Sequence, residues 1–139
     1  MQSTASVAVS DHEQRRDRER GSAVAEFAMV GALLVVVFLG AFQVGFALFV
    51  RNSLTAYAVE GARYGARADS TPEAGAERTR LLIRDALPKG YADDVTASET
   101  VQGGARVVTV RVRAQVPVLG PFGPSGSLQV SGRAYSEAQ

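Results

Sequence analysis

"FAMVGALLVVVFLGAFQVGFALFV", residues 27–50, decides how the rest of the chain is read. The stretch carries no charged residue and runs past the roughly 20 apolar residues that a helix needs to cross a bilayer. Gly31, Gly40 and Gly45 would weaken a helix in water, but glycine is tolerated in membrane helices and lets neighbouring helices come close. Gln43 is the one polar side chain in the run, suited to bonding a neighbouring helix or a backbone carbonyl. A secretory signal has a shorter apolar core and a small-residue cleavage site at its far end; neither is present. The stretch therefore predicts a retained membrane helix, residues 22–50, and it divides the chain into a leader (1–21), the helix, and a domain (51–139).

The leader becomes "DHEQRRDRER" at residues 11–20, dense in mixed charge and poor in apolar side chains. Such a composition cannot offset the entropy of ordering and predicts disorder. Arg15, Arg16, Arg18 and Arg20 stand just ahead of the apolar run and predict that this end stays in the cytoplasm. Residues 51–139 are then expected outside the cytoplasm, in a single-pass protein of the inner (cytoplasmic) membrane.

Beyond the run, "RNSLTAYAVEGARYGARA" (51–68) has no proline and sets Leu54, Tyr57 and Ala58, Gly61, Tyr64 and Gly65, and Ala68 at helical spacing. The helix is thus expected to continue past the membrane. Gly61 and Gly65 form a G-x-x-x-G pair, which fits either ordinary core packing or a specific helix–helix contact. "DSTPE" breaks this helix and starts another: Ser70 or Thr71 as cap, Pro72 in the first turn, Glu73 three residues after Ser70 as in a capping box. The second helix is expected to carry Leu81, Leu82, Ala86 and Leu87, and to stop at Pro88.

The period then changes to two. In "ARVVTVRVRAQV", Val108, Val110, Val112, Ala114 and Val116 alternate with Thr109, Arg111, Arg113 and Gln115, a half-buried strand. A preceding strand near 95–101 joins it through Gly103-Gly104, a hairpin signal. A Pro/Gly-rich loop, "PVLGPFGPSGS", leads to a last strand, "LQVSGRAY". The expected fold class is α+β: a long N-terminal helix extended beyond the membrane, a second short helix and a small antiparallel sheet.

Material for chemistry is sparse. The chain has no cysteine and a net charge of +1, which excludes disulfides and thiolate metal sites and gives no reason to expect nucleic acid. Its one histidine, His12, lies in the leader, and Asp93-Asp94 reads as a turn before a strand. Arg111 and Arg113 share the outward face of one strand and read as a solvated face. The serines have no base to activate them. Neither an enzyme nor a bound cofactor or metal is expected. Lys89 is the sole lysine beside fourteen arginines, a bias that points to a GC-rich source rather than to a chemistry.

One stretch remains, "RGSAVAEF" at residues 20–27. Gly21 and Ser22 give an unhindered peptide bond outside the apolar run, Glu26 is the fifth residue from Ser22, and Phe27 opens the run. This resembles the class III signal of type IV prepilins. "YAVEGARYGARA" (57–68) resembles the E-G-A-R-Y segment that follows the membrane helix in TadE-like proteins, pseudopilins of the tight-adherence (Flp) pilus system. The resemblance covers about residues 20–68. It implies cleavage between Gly21 and Ser22 by a prepilin peptidase, and a helix that serves first as anchor and then as assembly surface. It also implies that Glu26 pairs with the N-terminal amine of a neighbouring subunit, with Phe27 beside it. The implied partners are the peptidase, other pilins and pseudopilins, and the membrane machinery of pilus assembly; the implied roles are in pilus assembly, adhesion or secretion. Two other classes fit the same residues: an unprocessed, membrane-anchored extracytoplasmic binding module, and a membrane-tethered regulator acting through its leader.

Overall fold

The computed structural model describes residues 4–115 and 126–136, with side chains from Glu19 onward. Its elements run in the order α1 (Thr4–Gly65), α2 (Pro72–Ala86), β1 (Asp94–Gln102), β2 (Ala105–Gln115) and β3 (Ser127–Ser136). This is the α+β arrangement expected of the sequence. The chain divides into two compact units, Met1–Phe42 and Gln43–Gln139. Val116 and most of the Pro/Gly-rich loop lie outside the described residues, as does the side chain of His12.

The described residues of the first unit form one helix. It starts at Thr4, upstream of the place where the leader's composition predicts order to begin. Residues 4–20 contain neither glycine nor proline, and a helix already nucleated by the apolar run extends by one hydrogen bond per residue fixed. From Val24 to Phe42 the large apolar side chains are exposed on every side, with Phe27 at 80% and Phe38 at 75%. A helix that is apolar all round suits lipid or a protein core. The span from Glu19 to Gly65 is long and apolar enough to cross a membrane.

The second unit is built on the remainder of α1. Val50, Leu54, Ala58, Gly61, Ala62, Gly65 and Ala66 form its buried stripe, while Tyr64 and Ala68, expected on that stripe, are exposed. Fully burying a side chain the size of Leu54 or Ile83 contributes roughly 1.5–3 kcal/mol, so these residues anchor a core that also includes Leu87, Tyr91, Val95, Val110, Val112 and Val130. Arg106 closes the C-terminal end of α1: its Nη2 donates to Gly65 O at 3.1 Å and to Ser70 O at 3.5 Å, and its Nε lies 3.6 Å from Glu99 Oε2. A cation there complements the negative end of the helix dipole.

Two details of α2 differ from the expectation. Thr71 is the N-cap, accepting from Ala74 N at 3.2 Å with Pro72 following it. The third helical residue is therefore Ala74, which has no carboxylate to complete a capping box through Glu73. The buried face comprises Gly75, Ala76, Thr79 and Ile83, whereas Leu81 and Ala86 are exposed. Close backbone approach, described below, sets that face instead of the bulkiest side chains.

The sheet is an antiparallel meander in the order β1-β2-β3. Gly103 (φ 58°) and Gly104 (φ 82°) make the two-residue turn between β1 and β2, a conformation that needs positive φ at both positions. Val108, Val110, Val112 and Ala114 are buried as the alternation requires, but Val107 and Thr109 on the opposite row are buried too. They sit on the central strand, Val107 between Thr100 and Tyr135 and Thr109 between Ser98 and Arg133.

Tyr91 is buried in this core, and among the described residues its hydroxyl has no hydrogen-bond partner. Burial penalises the phenolate and raises its pKa above the ordinary value of 10.0. The folded state therefore holds the proton longer than the unfolded chain does. The associated stability is complete below about pH 10 and is lost as pH rises through the folded-state value. Tyr91→Phe keeps the ring and removes the orphaned hydroxyl. It is expected to leave the urea midpoint at neutral pH unchanged or raised, and to flatten its decline above about pH 10; a midpoint series from pH 7 to 11 checks both.

Candidate functional site

The sequence singles out two places, one in each unit. In the first, α1 passes through Gly21, Ser22, Glu26 and Phe27 without a break. Ser22 Oγ donates to Glu26 Oε1 at 3.2 Å, one helical turn along, and both residues are exposed. A Cβ built on Gly21 would meet nothing within 4 Å, and its φ is not in the positive range. Glycine inside a helix costs roughly 1 kcal/mol relative to alanine. Among the described residues neither packing nor backbone geometry accounts for that cost at Gly21. The same holds for Gly31, Gly40 and Gly45, each with open space around it.

Gly61, Gly65 and Gly75 of the second unit behave differently. A Cβ on Gly61 would run into Thr79 Oγ1 and would lie 2.5 Å from Gly75 O. On Gly65 it would lie 3.0 Å from Thr71 O and 3.3 Å from both Gly75 Cα and Val108 Cγ1. Gly75 faces them in turn, 2.5 Å from Gly61 O and 3.2 Å from Gly65 Cα by the same construction. Gly61 and Gly65 thus lie where α1 touches α2 inside the unit. Thr79, fully buried, bonds to Gly75 O at 3.0 Å and to Tyr57 O at 3.3 Å, tying the two helices through their backbones. A third close approach places Gly132 of β3 directly against the α1 backbone at Ala58 and Val59.

Sequence reasoning missed Gly75, Thr79 and Gly132. A signal for the first two was present: Gly75-x-x-x-Thr79 repeats the four-residue spacing of Gly61-x-x-x-Gly65 with another pair of small residues. The structure brings Gly61 and Gly65 together with that second pair. Gly21, Ser22, Glu26 and Phe27 follow one another on the helix of the other unit. Among the described residues no group of three or more His, Cys, Asp or Glu side chains could hold a metal ion.

Residues 21–63 match the family described as TadE-like protein. The matched segment begins at Gly21 and ends within the helical stretch that contains Gly61. It is the family that "YAVEGARYGARA" resembles, and it suggests an association with the tight-adherence pilus. No curated protein and no solved structure matches the chain.

The helix contact makes a direct expectation. Gly61→Ala forces a methyl into Gly75 O, a backbone atom that cannot rotate away. Overpacking of this kind costs about 1–3 kcal/mol, so the variant's urea midpoint is expected to fall well below that of the parent, whereas Gly31→Ala, in a helix with open space around it, is expected to leave it unchanged or raised.

Proposed function

We propose that this chain is a minor pseudopilin of a tight-adherence pilus, made as a precursor with residues 1–21 as its leader. A prepilin peptidase cuts between Gly21 and Ser22, residues 22–50 anchor the product, and residues 51–139 form its extracytoplasmic domain. The observation that carries the reading is Gly21: a helix-weakening residue with no packing role among the described residues, standing at the first position of the TadE-like match and one residue before Ser22. A peptidase working at the membrane face needs a small, unhindered residue on the leader side of the bond, and that accounts for the glycine.

The role of Glu26 follows from electrostatics. Near the headgroups a carboxylate costs little, and the start of the processed helix favours a negative side chain. Cleavage creates an amine on Ser22. When helices leave lipid and pack against one another, a buried carboxylate must be paired or neutralised, and the amine of a neighbouring subunit supplies the pair. Ser22 already points its hydroxyl at Glu26, so the residue bearing the new amine lies one turn from the acid. Phe27, 80% exposed, begins the apolar surface that would be covered on assembly.

Three measurements test this reading. Intact mass of the membrane-extracted protein is expected to start at Ser22, and Gly21→Leu to retain the full leader; unprocessed protein in assembled pili would overturn the proposal. Glu26→Val is expected to insert into the membrane as well as the parent but to be depleted from pili, and normal incorporation would leave Glu26 an interfacial residue only. Protease added outside spheroplasts is expected to digest residues 51–139 and spare the leader of the uncleaved variant.

A further inference from the structure

The three-stranded sheet has two edges, and they are treated differently. A two-residue turn makes Gln102 and Ala105 a hydrogen-bonded pair. Even-numbered residues of β1 therefore bond to β2, while Val95, Ala97, Glu99 and Val101 turn their backbone groups to the outside. That edge is guarded. Arg80 of α2, held by Glu77 at 2.9 Å, reaches over and donates from Nη2 to Val95 O at 2.7 Å.

Carrying the same parity through the register of β2 and β3, the even residues of β3 bond to β2. Ser127, Gln129, Ser131, Arg133 and Tyr135 turn their N–H and C=O groups to the open side. All five are exposed, and among the described residues no hydrogen bond reaches those backbone groups. The strand has no proline, and its pairing with β2 shows no bulge from Ser127 to Ser136. A straight, unguarded edge of this kind is a template for another strand. The side chains beside it are cationic: Arg111, Arg113 and Arg133 share the exposed outer face, and none has an ion pair among the described residues. Arg113 only donates to Gln129 Oε1 at 3.3 Å. The one carboxylate on that face, Asp94, belongs to the far strand, opposite Arg113.

We propose that the open edge of β3 receives an extended segment of another protein by strand addition, and that this segment carries carboxylate side chains at alternate positions on the side of Arg133. Main-chain hydrogen bonds to Gln129, Ser131 and Arg133 supply the attachment, and the three arginines select the acidic strand. An added strand lies about 4.8 Å beyond β3, which sets its outward carboxylates beside Arg133 and two strands from Arg111 and Arg113. The inference is independent of processing at Gly21 and of the pilus reading.

The test uses the full chain in nanodiscs, a nine-residue peptide alternating Thr and Glu, and one alternating Thr and Lys, read by residue-resolved amide hydrogen exchange. The acidic peptide is expected to slow exchange at Gln129, Ser131 and Arg133 by about tenfold or more, equivalent to about 1.4 kcal/mol, and to leave the amides of Val130 and Gly132, already bonded to β2, unchanged. Ser131→Pro removes one outward N–H without touching the β2 ladder and is expected to abolish the effect. Arg133→Glu is expected to reverse the preference towards the Lys peptide, and carries the test should the proline variant not fold. No slowing at millimolar peptide would overturn the proposal. So would peptide binding that leaves the outward amides exchanging freely, since that is ion pairing without strand addition. Protection that appears without peptide and grows with protein concentration would assign the edge to a second copy instead.

Discussion

At Gly61 the backbones of two helices come so close that a hydrogen atom is the largest side chain the gap accepts. Gly61, Gly65 and Gly75 bring α1 onto α2, and Thr79 bonds across the gap to Tyr57 O. Much else in the second unit follows from this contact. It determines which face of α2 is buried, and it brings Ile83 and Leu87 into the same core as Leu54 and Val110. It also sets the short connection in which Thr71 caps α2 and Arg106 bonds to Gly65 O and Ser70 O. Gly132 repeats the device on the sheet side, so α1 touches both of its neighbours at the backbone.

This explains what could be read in the sequence and what could not. The hairpin was legible because a period of two flanking Gly103-Gly104 allows few structures, and the register begins where that turn dictates. The long helix was legible from its apolar run and from the small-residue spacing between Leu54 and Gly65. The buried face of α2 was not. Leucines at 81 and 82 suggest a face by their bulk, but the approach of Gly61 to Gly75 rotates the helix so that Thr79 and Ile83 point inward. A tertiary contact between two glycines overrides the local hydrophobic pattern. The burial of Val107 and Thr109 was hidden for a related reason: alternation describes one strand alone, whereas these two residues stand on a central strand with a neighbour on each side.

The candidate site was legible in a different way. Gly21, Ser22, Glu26 and Phe27 stand out because they are locally inexpedient: a glycine within a helix and an acid at the start of an apolar span. The fold supplies no internal reason for either. By contrast, Gly61, Gly65, Gly75 and Gly132 are each accounted for by an atom that a side chain would strike. The glycines explained by the fold all lie in the second unit, whereas those left unexplained by it, Gly21, Gly31, Gly40 and Gly45, all lie on the apolar run or just ahead of it, the segment expected to meet other proteins.

The contact between Gly132 and Ala58 has a consequence for how the protein comes into being. Its two sides are made at very different times, since Ala58 lies near the start of the second unit and Gly132 near its end. At synthesis rates of ~5–20 residues per second, the interval between them is on the order of 4–15 seconds. Throughout it, Val50, Leu54 and Ala58 present a bare apolar stripe with no sheet to cover it. The nascent domain therefore spends those seconds adhesive, directly after a segment that is apolar all round. A binding partner that shields α1, or a surface on which the stripe can rest, would serve this chain before its final strand arrives.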